Sequence, residues 1–282
     1  MTVWICSACG IEHSNMARPP ARCAICSDER HYVPPGGQQW TSLKEMAGRF
    51  TGSFTELEPD LFAVRVSPSF GIGQRGLLVR TPAGNVLWEP PGYLDQQMID
   101  EATALGGVAA VTASHPHLVG SSITWSKAFD GVPVYVNRAD HRWIRRPDDV
   151  IRLWDDRQEI VDGVELIRCG GHFPGSAVLN WPAGAAAAGV LLVGDTLMVA
   201  ADRASVSFMR SYPNLIPLPE RLVTQIASTI GLLTFDRIYG AFHGSMIAMG
   251  SAEAVRASAA RYIGWIRDEI RDPDEPGNAR DH

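Results

Sequence analysis

Nothing in the 282-residue sequence reads as a membrane span, because no run of about twenty residues is apolar throughout. The most apolar window, Ala183 to Ala201, is broken by Gly184, Gly189, Gly194 and Asp195, and reads as a loop feeding a buried strand. The first ten residues, MTVWICSACG, lack the basic start and long apolar core of a secretory signal. Positive charge is in deficit: 25 Lys and Arg stand against 31 Asp and Glu, a net charge of −6. That argues against a nucleic-acid surface. Cysteine is scarce. Four of the five fall in the first fifty residues in paired spacing, as thiols do that bind metal in a reducing compartment instead of pairing as disulfides. A cytoplasmic setting is expected, with neither a membrane nor a nucleic acid as partner. No repeat of solenoid period is present. The remainder is ordinary for a globular chain, 45% hydrophobic and 20% charged, and long enough for one large domain with or without a small one.

The organisation is uneven. Residues 1–50 form a cysteine-rich module closed by the Pro/Gly run YVPPGGQQW (32–40), which reads as a linker. From about Phe54 short apolar strands alternate with helical patterns. LFAVRVS (61–67), GLLVRT (76–81) and NVLWE (85–89) are strand candidates bounded by Gly and Pro. LDQQMIDEATAL (94–105) has helical spacing and is followed by the strand candidate GVAAVTAS. VPVYVN, VELIRC, AVLNW, GVLLVGD and DRIYGAF continue the pattern, and residues 219–233 and 251–270 read as helices, the second with Ser251 as its N-cap. The expectation is one αβ domain over 51–270 behind the small head, with a flexible polar tail over 271–282.

Cys6 and Cys9 form one CxxC pair and Cys23 and Cys26 a second, thirteen residues on. Four thiolates on two tight turns supply a closed tetrahedral site, the usual structural Zn²⁺ arrangement. A module of about fifty residues has too little core to stand alone, so the metal supplies folding energy. The same spacing fits a single iron of the rubredoxin kind.

Elsewhere, His115 and His117 stand two apart at the end of an apolar run. His172 lies among glycines in GGHFPGS, Asp195 ends VLLVGDT, and His243 follows RIYGAF. Three times an apolar strand runs into His or Asp, beside a glycine-flanked histidine. Strand ends on one side of a sheet are where αβ sites gather. Asp140 and His141 read as the start of a helix, Cys169 as a buried inert thiol, and Trp125 as core. In SFMRSYPNLIPLP (207–219), Arg210 is a candidate for binding an anionic substrate group and Tyr212 for hydrogen-bonding it.

The order HxH, GHxPG, GD, H, with alternating strands and helices over about 54–270, resembles the metallo-β-lactamase fold superfamily, glyoxalase II among its members. The resemblance implies an αββα sandwich. It implies His115, His117 and His172 as ligands of a first metal, Asp195 as a bridging carboxylate and His243 as the last ligand of a second. Glu89, in LWEPPG where that family usually has Asp, is implied as a carboxylate supporting the site from behind. The first motif of the family reads HxHxDH, and here Val119 and Gly120 replace its Asp and last His. Asp195 and His243 alone make a poor second site, so one Zn²⁺ or Fe²⁺ is expected at the histidines.

Three readings follow. The first is a hydrolase that uses metal-activated water on an ester, thioester or lactone, with Asp195 taking the proton and His243 contacting substrate. The second is a non-haem iron oxygenase of the persulfide dioxygenase kind, with His115, His172 and Asp195 as ligands and the head as a redox partner. The third is a non-catalytic binding module that docks a protein through the cysteine head.

Overall fold

The computed structural model describes residues 1–272 and 274. Most of the predicted tail from 271 on lies outside them. In the head, β1 (Thr2–Cys6) pairs with β2 (Glu12–Met16) on one edge and with β3 (Trp40–Thr41) on the other. Trp40, expected to end a linker, is thus part of the head's sheet. A short helix, α1 (Leu43–Met46), leads into the main body.

The first large sheet has seven strands: β4 (Thr51–Glu58), β5 (Leu61–Ser67), β6 (Gly76–Val79), β7 (Val86–Trp88), β8 (Ala110–Thr112), β9 (Val134–Asn137) and β10 (Ile151–Trp154), in spatial order 10-9-8-7-6-5-4. β4 to β7 run antiparallel, and β7 to β10 are parallel. Helices α2 (Gln96–Ala104) and α3 (Ser122–Ala128) make the crossovers. The second sheet joins β11 (Arg157–Val161), β12 (Val164–Arg168), β13 (Ala177–Trp181) and β14 (Val190–Leu192). A single turn, α4 (Gly184–Ala187), left-handed at Ala185 and Ala186, precedes β14. After β14 come two ribbons, β15 (Met198–Val199) with β16 (Val206–Ser207) and β17 (Met209–Ser211) with β18 (Ile216–Pro217). Helix α5 (Glu220–Ile230) then returns the chain to β19 (Arg237–Tyr239) and β20 (Met246–Ile247) at the sheet's other end, and α6 (Ser251–Ile266) closes the fold.

Period-two alternation sets the layers. Leu61, Ala63, Leu77, Val79, Val86 and Trp88 of the first sheet meet Val164, Leu166, Leu179, Val190 and Leu192 of the second in one core. Their neighbours Phe62, Val64, Leu78 and Leu87 face the other way, onto Met98 of α2 and Trp125 of α3. Ile167, Val178 and Leu191 likewise face Val223 and Ile226 of α5 and Val255 of α6. Strands buried on both faces read as nearly unbroken apolar runs, which is why the sequence shows them. The result is an αββα sandwich. Among the described residues no helix is long and apolar enough to cross a membrane. One cap differs from expectation: Gly250, in the left-handed region at φ 68°, caps α6, and Ser251 is the first helical residue, its hydroxyl donating to the Ile247 carbonyl.

The head is welded to the main body. Ile5 and Met46 share the core of the first sheet. Glu12, buried on β2, accepts from the backbone amides of Ile123 at 2.5 Å and Thr124 at 3.2 Å, at the start of α3. The Thr124 hydroxyl donates to it at 2.7 Å and Arg146 pairs with it at 2.5 Å. A carboxylate there meets unsatisfied amides and the positive end of the helix. Glu12→Gln keeps the shape and removes the charge, so unfolding free energy is expected to fall by about 2 kcal/mol, read from the urea midpoint. An unchanged midpoint would show that the charge is not what holds the head.

Candidate metal centre

Each histidine of the site is set by a strand end. β8 stops at Thr112, and His115 enters, extended, a single 3-10 turn spanning Pro116–Leu118. Pro116 separates the two imidazoles of the HxH pair and fixes the turn between them. His172 follows β12 through Gly170 and Gly171. Asp195 follows β14 through Gly194, whose left-handed φ of 54° and close neighbours leave no room for a side chain. A Cβ there would stand 2.0 Å from Ser114 Oγ and 2.4 Å from Glu89 Oε1.

The three histidines come together. One ring nitrogen from each of His115, His117 and His172 lies within 4.8 Å of the others, and the ring centroids are 4.8 to 5.5 Å apart. All three side chains are buried, yet His115 Nε2, His117 Nε2 and both nitrogens of His172 have no hydrogen-bond partner. Burial holds the His115 and His117 imidazoles well below the usual histidine range and pushes His172 down to about 4. At neutral pH all three are therefore uncharged, the form in which a ring nitrogen donates a lone pair to metal. Asp195 joins them, with Oδ2 3.5 Å from His115 Nε2. Burial raises its carboxyl to about 7.

Behind His115 runs a short relay. The Ser114 hydroxyl donates to Glu89 Oε1 at 2.5 Å and lies 2.8 Å from His115 Nδ1. With its proton directed at Glu89, the hydroxyl accepts from Nδ1, which leaves Nε2 free to face the site. Glu89 is fully buried, and burial outweighs the Ser114 hydrogen bond to raise its carboxyl to about 8.

The head holds the second cluster. The four Sγ atoms of Cys6, Cys9, Cys23 and Cys26 lie within 4.8 Å of one another, with Cys6 to Cys26 at 3.5 Å and Cys9 to Cys23 at 3.7 Å. A tetrahedral site with metal–sulfur bonds of about 2.3 Å has edges of about 3.8 Å. Both clusters therefore suit a metal ion.

The other predicted residues fall into place unevenly. His243 is exposed, its Nδ1 3.4 Å from Arg65 Nη1, and it stands outside the histidine cluster. The expectation that it is a metal ligand needs this correction: the turn after β19 puts its ring beside Arg65 of β5. Arg210 does not present a free guanidinium. It donates to the His172 carbonyl at 3.3 Å and to Glu29 of the head at 3.1 Å. The Tyr212 hydroxyl donates to the Asp195 carbonyl at 3.0 Å, steadying that loop. His141 is exposed, and its ring nitrogen donates to the Arg138 carbonyl. Asp140 is buried and accepts from the Gly175 amide at 3.0 Å. Cys169 is buried, and burial pushes its thiol up to about 12, as befits an inert sulfur. Trp125 is core, stacked on Phe129.

Val119 and Gly120 are not bare gaps. Val119 packs against the four-cysteine cluster. Gly120 is left-handed at φ 50°, its carbonyl accepts from the Glu12 amide at 3.2 Å, and a Cβ there would lie 1.9 Å from the Pro90 carbonyl oxygen. The Pro90–Pro91 turn thus leaves no room for a side chain at 120, and the head packs on Val119. Sequence reasoning missed Arg30 and His31, which reach the site from the head. No spacing rule marks them, because they meet it only through tertiary docking.

The fold is a metallo-β-lactamase-type sandwich. DIM-1 metallo-β-lactamase superposes with a TM-score of 0.54 at 14% identity, over 75% of this chain and 98% of that one. The structure titled VMB-1 does so at 0.55 and 16%, over 75% and 98%. FIM-1 of Pseudomonas aeruginosa, solved in a mono-zinc form, gives 0.53 and 15%, over 75% and 96%. By sequence the chain belongs to the family of YmaE, an uncharacterized protein of Bacillus subtilis (strain 168). The two are 41% identical over 273 residues, which cover 96% of this chain and 99% of YmaE. No family model matches the sequence.

Proposed function

We propose that the protein is a metal-dependent hydrolase with one ion at His115, His117 and His172, acting on an ester, thioester or lactone. The observation that carries this is the set of buried, uncharged, unpartnered imidazole nitrogens with a carboxylate at its edge. Buried polar atoms are rarely left without partners, and a cation supplies one. A divalent ion bound there would provide a water acidified toward pH 7 and a Lewis acid for a carbonyl. The chain's own part is to hold His115 through Ser114 and Glu89, to hold Asp195 through Tyr212, and to place the Asp195 carboxylate as proton acceptor. Zinc is the ion we assign to both clusters, since three imidazoles and four thiolates are its usual donors. The unpaired thiols suit a reducing compartment, and we place the protein in the cytoplasm.

A second reading rests on the Asp195–His115 approach. With His172 these make a two-histidine, one-carboxylate set suited to Fe(II) and oxygen chemistry, and a head loaded with iron would then be its electron donor. Elemental analysis of protein purified without added metal, with a panel of esters, thioesters and lactones, decides. Zinc at the histidines with turnover of a panel member supports the first reading, and iron with oxygen uptake supports the second. A loaded protein inert in both assays would leave a binding module on a hydrolase scaffold.

A further inference from the structure

The cysteine head reaches the histidine site directly. Asp28, Glu29, Arg30 and His31 follow the second CxxC turn. Arg30 is buried and fixed on three sides: it pairs with Asp28 at 2.5 Å, its guanidinium lies 3.5 Å from the Phe173 ring centroid, and Nη1 donates to the His172 carbonyl at 3.0 Å. His31 is buried too. Its ring meets His117 edge-on with centroids 4.8 Å apart, and neither Nε2 of this pair has a partner. On the far side Ser211 and Asn214 donate to the Glu29 carbonyl at 2.8 and 2.7 Å, which ties the segment to β17 and the turn after it.

We propose that Arg30 and His31 are positioning residues of the histidine site, presented by the head, so that metal in the four-cysteine site tightens metal binding at the histidines. The inference rests on the metal reading given above. Metal on the cysteines fixes both CxxC turns, and with the second the Asp28–His31 segment, whose Asp28 amide donates to the Ile25 carbonyl at 3.1 Å. That segment then braces His172 through its backbone and His117 through its ring. Ligands held from behind are pre-oriented, and losing such support commonly weakens metal binding about 10- to 100-fold. Coupling of this kind is reciprocal: an ion at the histidines tightens the cysteine site by the same factor.

Cobalt(II) titration of the full-length protein tests this without reference to turnover, because thiolate charge-transfer bands report the head and weaker visible bands the imidazole site. For His31→Gln and Arg30→Met the expected result is an unchanged head signal with the histidine-site dissociation constant raised about tenfold or more. A variant that also releases head cobalt is read beside Cys23→Ser, which removes the head site outright and must show the same weakening. Histidine-site affinity within about twofold of the parent in all three variants overturns the coupling. A parent protein with no imidazole-bound cobalt overturns the metal reading itself, and the inference with it.

Discussion

Replacing His115 and His172 together by alanine is expected to abolish metal binding at the histidines while one ion stays on Cys6, Cys9, Cys23 and Cys26. Two of three ligands are lost, and Asp195, 3.5 Å from His115 in the parent, is left with His117 alone. Two protein donors do not hold a divalent ion against water. Any hydrolytic activity should fall by about 10³-fold or more, since Lewis-acid and bound-water contributions disappear together. Stability supplies an independent readout. In the parent, metal at about 1,000 times its dissociation constant adds about 4 kcal/mol to folding. In the double variant the share of that shift owed to the histidines should vanish. Elemental analysis and thermal melts with and without chelator check both. A metal content equal to the parent's would show that these imidazoles hold nothing.

Gly120→His, which would restore a motif histidine, should destabilise the protein by about 3 kcal/mol or more and recruit no additional ion. The glycine is left-handed, and a Cβ would lie 1.9 Å from the Pro90 carbonyl oxygen. Neighbouring backbone must move before an imidazole can be seated at all, and the Glu12 amide bond to the Gly120 carbonyl moves with it. Gly120→Ala separates the causes. It should cost nearly as much, because the conflict begins at Cβ. Urea midpoints and metal stoichiometry are the measurements, and a variant as stable as the parent that binds an extra ion would overturn the account.

The sequence exposed the site where local chemistry and topology coincide. Strands buried on both faces show as apolar runs, and LFAVRVS is β5 residue for residue. His115, His117, His172 and Asp195 sit at the ends of such runs, so their convergence followed from the sheet. His243 sits at another strand end, yet it lies in the turn of Phe242 to Ser245, which directs it to Arg65, and turn geometry is decided by packing. Short strands such as β15 to β18 escaped notice because two or three residues carry no periodicity. Arg30 and His31 were invisible for a different reason. They are polar residues of the head, and only its docking on the body, through Glu12 on α3, Ile5 in the core and Glu29 on β17, brings them to the histidines. The cysteine pairs were plain as a metal site and silent about what that site faces.

The donors have a divided origin. His115 and His117 follow the first sheet, His172 and Asp195 the second, and the facing strands of the two sheets meet largely through apolar side chains, with Arg237 and Tyr239 of β19 bonded to Glu58 of β4. An ion at this point is a rivet through the seam of the sandwich, set where sliding of one sheet on the other would be felt first. Loading it should slow amide hydrogen exchange in β8 and β14 together, although those strands lie in different sheets and share no ladder.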